Sequence, residues 1–196
     1  DASNRWRDGS LVRWRDGSLR PIGGWQTFKE GFCSNPIRGA HAWESNNGTA
    51  YFAAGSHNEL TAMTGAGITY DIKPTSMTTG REDAGLNLGF GGGFFGTGYF
   101  GTQRPATGTY SEATSWALDN FGETLCGVHS ATGNLVQWSL GSSSVAAVVA
   151  GAPTNNLGLV VTEERFVFCL GAGGNPRKVQ WSDKEDISTW TASATT

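Results

Sequence analysis

The sequence predicts an all-β chain: a partial β-propeller whose blades repeat about every 43 residues, with an N-terminal β-ribbon and a Gly/aromatic insertion. Three observations carry that expectation. Glycine supplies 29 of 196 residues, and charged residues make up only 16% against an ordinary share of about 25%. With eight tryptophans, this composition favours turns and pleated strands over long solvated helices. A short motif also recurs near the start, and a longer pattern recurs through the rest of the chain.

Arg5-Trp6-Arg7-Asp8-Gly9-Ser10-Leu11 returns eight residues later as Arg13-Trp14-Arg15-Asp16-Gly17-Ser18-Leu19. Each copy alternates bulky and charged residues, the period of a strand, and then meets Asp-Gly, a hairpin-turn signal. Residues 1–36 are therefore expected to form a ribbon of short antiparallel strands. Five of the fourteen Lys and Arg lie in its first twenty residues. Alternation places Arg5 with Arg7 and Arg13 with Arg15 on one face, and Trp6 and Trp14 on the other. Together with Arg20, these residues are the candidate docking ribbon. Carboxylates of a neighbouring protein are the favoured partners; pairing with Asp8 and Asp16, or with DNA phosphates, are the alternatives.

Gln137-Trp138-Ser139 recurs as Gln180-Trp181-Ser182, and Cys126 falls on Cys169 at the same offset of 43. Moving back by 75, Thr124 falls on Thr49, Leu135 on Leu60 and Trp138 on Met63. The aligned segments 49–63, 124–138 and 167–181 each read as strand, polar turn and strand, which is the centre of a four-stranded blade. Blade-like units are expected at 37–80, 113–154 and 155–196. Between the first two, residues 81–112 hold a Gly/aromatic loop or hairpin unlike the rest. Its Phe90, Phe94, Phe95, Tyr99 and Phe100, set among glycines, suit a contact between subunits.

Several chemistries find little support. Ser56-His57 reads as a polar hairpin turn, and no G-x-S-x-G elbow is present. A glycosidase needs two facing carboxylates, and spacing does not pair Asp71, Glu82, Asp83, Asp119, Glu123 or Asp183. Asp183, Glu185 and Asp186 are not followed by a calcium-loop pattern, and Gly91-Gly92-Gly93 lacks the Lys of a phosphate loop. No catalytic, cofactor or metal residue is assigned. The net charge of −3 lacks the basic footprint of a dedicated nucleic-acid binder, and no apolar run approaches membrane length. Cys33, Cys126 and Cys169 form no C-x-x-C pair, so a disulfide framework is not expected and assembly in the cytosol is the simpler reading.

The run Leu11-Val12-Arg13-Trp14-Arg15-Asp16-Gly17-Ser18-Leu19-Arg20-Pro21-Ile22-Gly23-Gly24-Trp25 resembles the N-terminal segment of tail nozzle (tail tubular) proteins of short-tailed bacteriophages. So do Ser115–Glu123, Val161–Phe166 and Val179–Asp186 closing on Thr189-Trp190-Thr191, in the same order. The resemblance implies a non-enzymatic virion protein of the phage tail, assembled in the host cytoplasm as a homo-oligomeric ring, usually a hexamer. It implies an adaptor (head-tail connector) and tail fibres as partners, and double-stranded DNA passing through the ring without specific binding. It also implies a protein continuing beyond residue 196. The alternatives are a carbohydrate-binding propeller, with Trp138, Trp181 or Trp190 as stacking surfaces, and, less favoured, a propeller glycoside hydrolase.

Overall fold

The computed structural model describes residues 9–24, 26–84 and 112–191. The chain divides into two compact units, Asp1–Glu30 and Gly31–Thr196. Its described residues are all-β, with four antiparallel sheets and one 3₁₀ turn at Ala172–Gly174.

In the first unit, β1 (Val12–Arg15) pairs with β2 (Ser18–Pro21). Asp16 and Gly17 turn the chain between them with φ of 51° and 72°. Two successive positive φ values match the right-handed twist of the strands, which is why Asp-Gly is favoured here. Leu11 carbonyl accepts the Ile22 amide at 2.7 Å and closes the open end.

Among its described residues the second unit holds three successive meanders. The first sheet runs β3 (Gly39–Glu44), β4 (Ala50–Gly55), β5 (Leu60–Thr64) and β6 (Thr69–Asp71). The second runs β7 (Trp116–Phe121), β8 (Thr124–His129), β9 (Leu135–Trp138) and β10 (Ala147–Val148). The third runs β11 (Gly158–Val161), β12 (Val167–Leu170) and β13 (Val179–Trp181). In each, spatial order equals chain order, so every connection is a hairpin.

Residues 31–36, grouped with the ribbon in the sequence reading, fall in this second unit. Phe32 lies 5.5 Å from the Phe52 ring, and the Cys33 thiol reaches the Ala54 carbonyl at 4.0 Å. That segment therefore lies against Phe52 and Ala54 of β4, while Ala40 and Ala42 of β3 stay exposed on the same face.

The sheets pack face to face through two cores. Trp43, Ala53, Leu60, Ala62 and Ile72 of the first meet Trp116, Leu125, Val136 and Trp138 of the second. On its other face the second sheet sets Cys126, Val128 and Leu135 against Leu159, Val167 and Cys169 of the third. The second sheet is thus buried on both sides, which is why the centre of β8, Leu125–Val128, carries no polar side chain.

Side-chain direction separates the two sequence matches. At the 75-residue offset, Ala53 and Leu60 face the following sheet, as do their counterparts Val128 and Leu135. At the 43-residue offset the faces are opposed: Cys126 points forward to the third sheet, whereas Cys169 points back to the second. Trp138 is 2% exposed in the first core, while Trp181 is 41% exposed on the far side of the third sheet. The third sheet follows at about that spacing, but its central hairpin is shifted by an odd number of residues, and such a slip turns every side chain to the opposite face.

Candidate assembly surfaces

The ribbon places Arg13 opposite Arg20 and Trp14 opposite Leu19. Alternation therefore brings Arg13, Arg15 and Arg20 to one face and Val12, Trp14 and Leu19 to the other. Trp14 is 67% exposed, and the Arg15 guanidinium lies 3.8 Å from the Asp16 carboxylate with both groups in solvent. An exposed pair of this kind contributes little, which leaves the guanidinium face open to a partner. Arg5, Trp6 and Arg7 of the expected docking ribbon lie outside the described residues, as do Phe90, Phe94, Phe95, Tyr99 and Phe100 of the aromatic insert.

The stem of the insert is described. Arg81 carbonyl accepts the Thr114 amide at 3.0 Å, and Arg81 amide donates to Thr114 Oγ1 at 2.6 Å. Arg38 donates to the Glu82 carbonyl at 2.6 Å and sits 3.7 Å from the Asp83 carboxylate. The chain on either side of residues 85–111 is therefore clamped at one point beside the starts of β3 and β7.

The first strands of the sheets are neighbours, with β7 lying between β3 and β11. His41 Nε2 and Asn120 Oδ1 are 2.9 Å apart, and Asp119 Oδ2 accepts the Val161 amide at 2.8 Å. Glu123 receives the Trp43 indole N–H on its carbonyl at 3.1 Å and the Asn46 amide on Oε1 at 2.7 Å. These side chains tie strand ends and turn amides across sheet boundaries.

Trp116 joins the first and second sheets. It is 6% exposed, its indole N–H donates to the Ser56 carbonyl at 2.7 Å, and its ring lies 4.8 Å from His129. Gly39 and Gly55 flank it so closely that a Cβ at either would overlap Trp116. Burial holds the His129 pKa below its ordinary value, the bond to the His57 carbonyl opposing this only in part. Neutral His129 therefore donates Nε2–H to His57 carbonyl at 3.2 Å and accepts the Thr132 hydroxyl on Nδ1 at 3.1 Å. Sequence reading missed this junction, because its residues are scattered between positions 39 and 132.

Ser56 hydroxyl donates to Asn58 Oδ1 at 2.9 Å, which closes the β4–β5 turn. Asp71 and Asp183 each accept a nearby backbone amide, from Lys73 and Lys184 respectively. Among the described residues no three His, Cys, Asp or Glu converge on a metal-sized site, and no helix is long and apolar enough to cross a membrane. Cys126 and Cys169 are free thiols pushed up to about 12 by burial. Of the three tryptophans considered for sugar stacking, Trp138 and Trp190 are buried and only Trp181 presents a face to solvent.

Neither a protein-family model nor a curated protein matches the chain.

Proposed function

We propose that the chain is a structural virion protein, a subunit of a phage tail nozzle ring that docks on an adaptor and surrounds the path of ejected DNA. The observation that carries this reading is the stack of three consecutive meanders, packed face to face with β3, β7 and β11 side by side. Blades of a propeller are arranged in this way around an axis, and such a stack makes a rigid wall without any moving part. The exposed Arg13/Arg15/Arg20 face fits the carboxylates of a neighbouring component. Its mechanism is geometric: stiff sheets hold a passage open, while the ribbon and the insert make contacts.

Light scattering of the protein mixed with its adaptor, followed by electron microscopy of the assembled particle, tests this. A closed ring on the DNA axis is the expected result; a persistent monomer beside its adaptor would end the reading. A second reading, carbohydrate binding, rests on Trp181, which stacks at 5.9 Å and 29° on Phe168. Glycan-array binding lost in Trp181→Ala would promote it.

A further inference from the structure

The second sheet has a neighbour on each face; among the described residues, the third has one on a single face. Leu159, Val167 and Cys169 point into the shared core. By register, the opposite face carries two cross-strand rows, Val160–Phe168–Trp181 and Gly158–Leu170–Val179. Val160 is 46% exposed, Leu170 39%, Val179 47% and Trp181 41%. Phe166, 6.4 Å from Phe168, lengthens the aromatic row. A contiguous apolar face of this kind marks an interface.

One observation identifies its occupant. The two ends of the face differ in charge. The β11–β12 turn carries Glu163 and Glu164, and a bond from the Glu185 amide to the Arg165 carbonyl brings the 183–186 turn beside it. That end holds five carboxylates (Glu163, Glu164, Asp183, Glu185, Asp186) against Arg165 and Lys184. The opposite end, residues 171–178, holds Arg177 and Lys178 and no carboxylate.

We propose that this face docks on the same face of a second copy, the two third sheets packed with their strands antiparallel. A two-fold axis lying across the strands superposes each acidic end on the partner's basic end, and apolar centre on apolar centre. An isologous contact needs this self-complementarity. The pairing goes beyond the nozzle reading and does not depend on it.

Sedimentation velocity on the 1–196 chain, over a concentration series, reads the pairing directly. A monomer–dimer equilibrium is expected, weakened about 10-fold or more by Trp181→Glu, roughly the effect of losing one central contact. Arg177→Glu with Lys178→Glu weakens it too, and adding Glu163→Lys with Glu164→Lys restores it. Every changed side chain lies at the surface, so each variant is expected to fold, and circular dichroism checks this. A monomer at all concentrations overturns the proposal, as does a dimer indifferent to Trp181→Glu. An adaptor-dependent ring that forms unchanged with Trp181→Glu, from a chain that never dimerises, sinks the pairing and leaves the nozzle reading standing. A dimer with no ring does the reverse.

Discussion

At Gly55 a methyl group would have nowhere to go. Its Cβ would overlap the Trp116 indole, whose N–H is held by the neighbouring Ser56 carbonyl. Gly55→Ala is therefore expected to cost about 1–3 kcal/mol, the range for overpacking a full core, read as a lower urea midpoint with an unchanged slope. His129 gives a second prediction at this scale. Its folded pKa is lowered, so the unfolded chain binds a proton that the folded chain refuses. This contribution is whole above about pH 6.5, the ordinary imidazole value, and is lost as pH falls below it. The urea midpoint should drop between neutral and mildly acid pH, and His129→Gln should flatten that drop. Equal drops in both proteins would remove His129 from the account.

At the scale of the strand, two copies of Gln-Trp-Ser have different fates. Trp138 lies between Tyr51 and Tyr70 in the first core, at 6.4 and 5.5 Å, whereas Trp181 rests on Phe168 with its other face in water. Trp138→Ala is expected to cost about 3–5 kcal/mol, as for other buried aromatics. Trp181→Ala should cost under about 1 kcal/mol in the monomer, the scale of one exposed aromatic pair. Chemical denaturation of the two variants side by side checks the asymmetry; equal costs would refute the face assignment. The same contrast marks where sequence stops being informative. The Asp16-Gly17 turn is legible because few residues tolerate two positive φ values, and the β4–β5, β8–β9 and β12–β13 hairpins are legible from apolar runs broken by polar turns. The facing of β12 is not. Phe166-Val167-Phe168-Cys169-Leu170 is apolar at every position, so no period of two survives to say which face is inward. The exposed aromatic row was hidden for that reason, and the match at 43 residues looked sound because alternation could not contradict it.

At the scale of the molecule, the second sheet is the shared wall of both cores, so the described stack should unfold as one unit. A charge at Val128, which is wholly buried between the second and third sheets, should lower the midpoint of the entire transition and not of one sheet alone. Val128→Asp, followed by both tryptophan fluorescence and circular dichroism, should give coincident curves if folded at all; separated curves would mean the sheets melt independently. This level was only half legible. The meanders announced themselves in sequence, but the contacts that join them, Trp116 to Gly55 or Asp119 to Val161, pair residues about 40–60 positions apart with no periodic mark.

The Arg81–Thr114 clamp has a consequence for how such a chain can change. Because the Arg81–Thr114 bonds fasten the chain at one point, a short link can stand in for residues 85–111. Replacing them with a short Gly-Ser linker, of about 4–6 residues as in ordinary connections, should leave the melting temperature within a few degrees. Any loss should appear only in what the protein assembles with. Evolution could then exchange that stretch of sequence to meet a new neighbour and keep the sheets as they are.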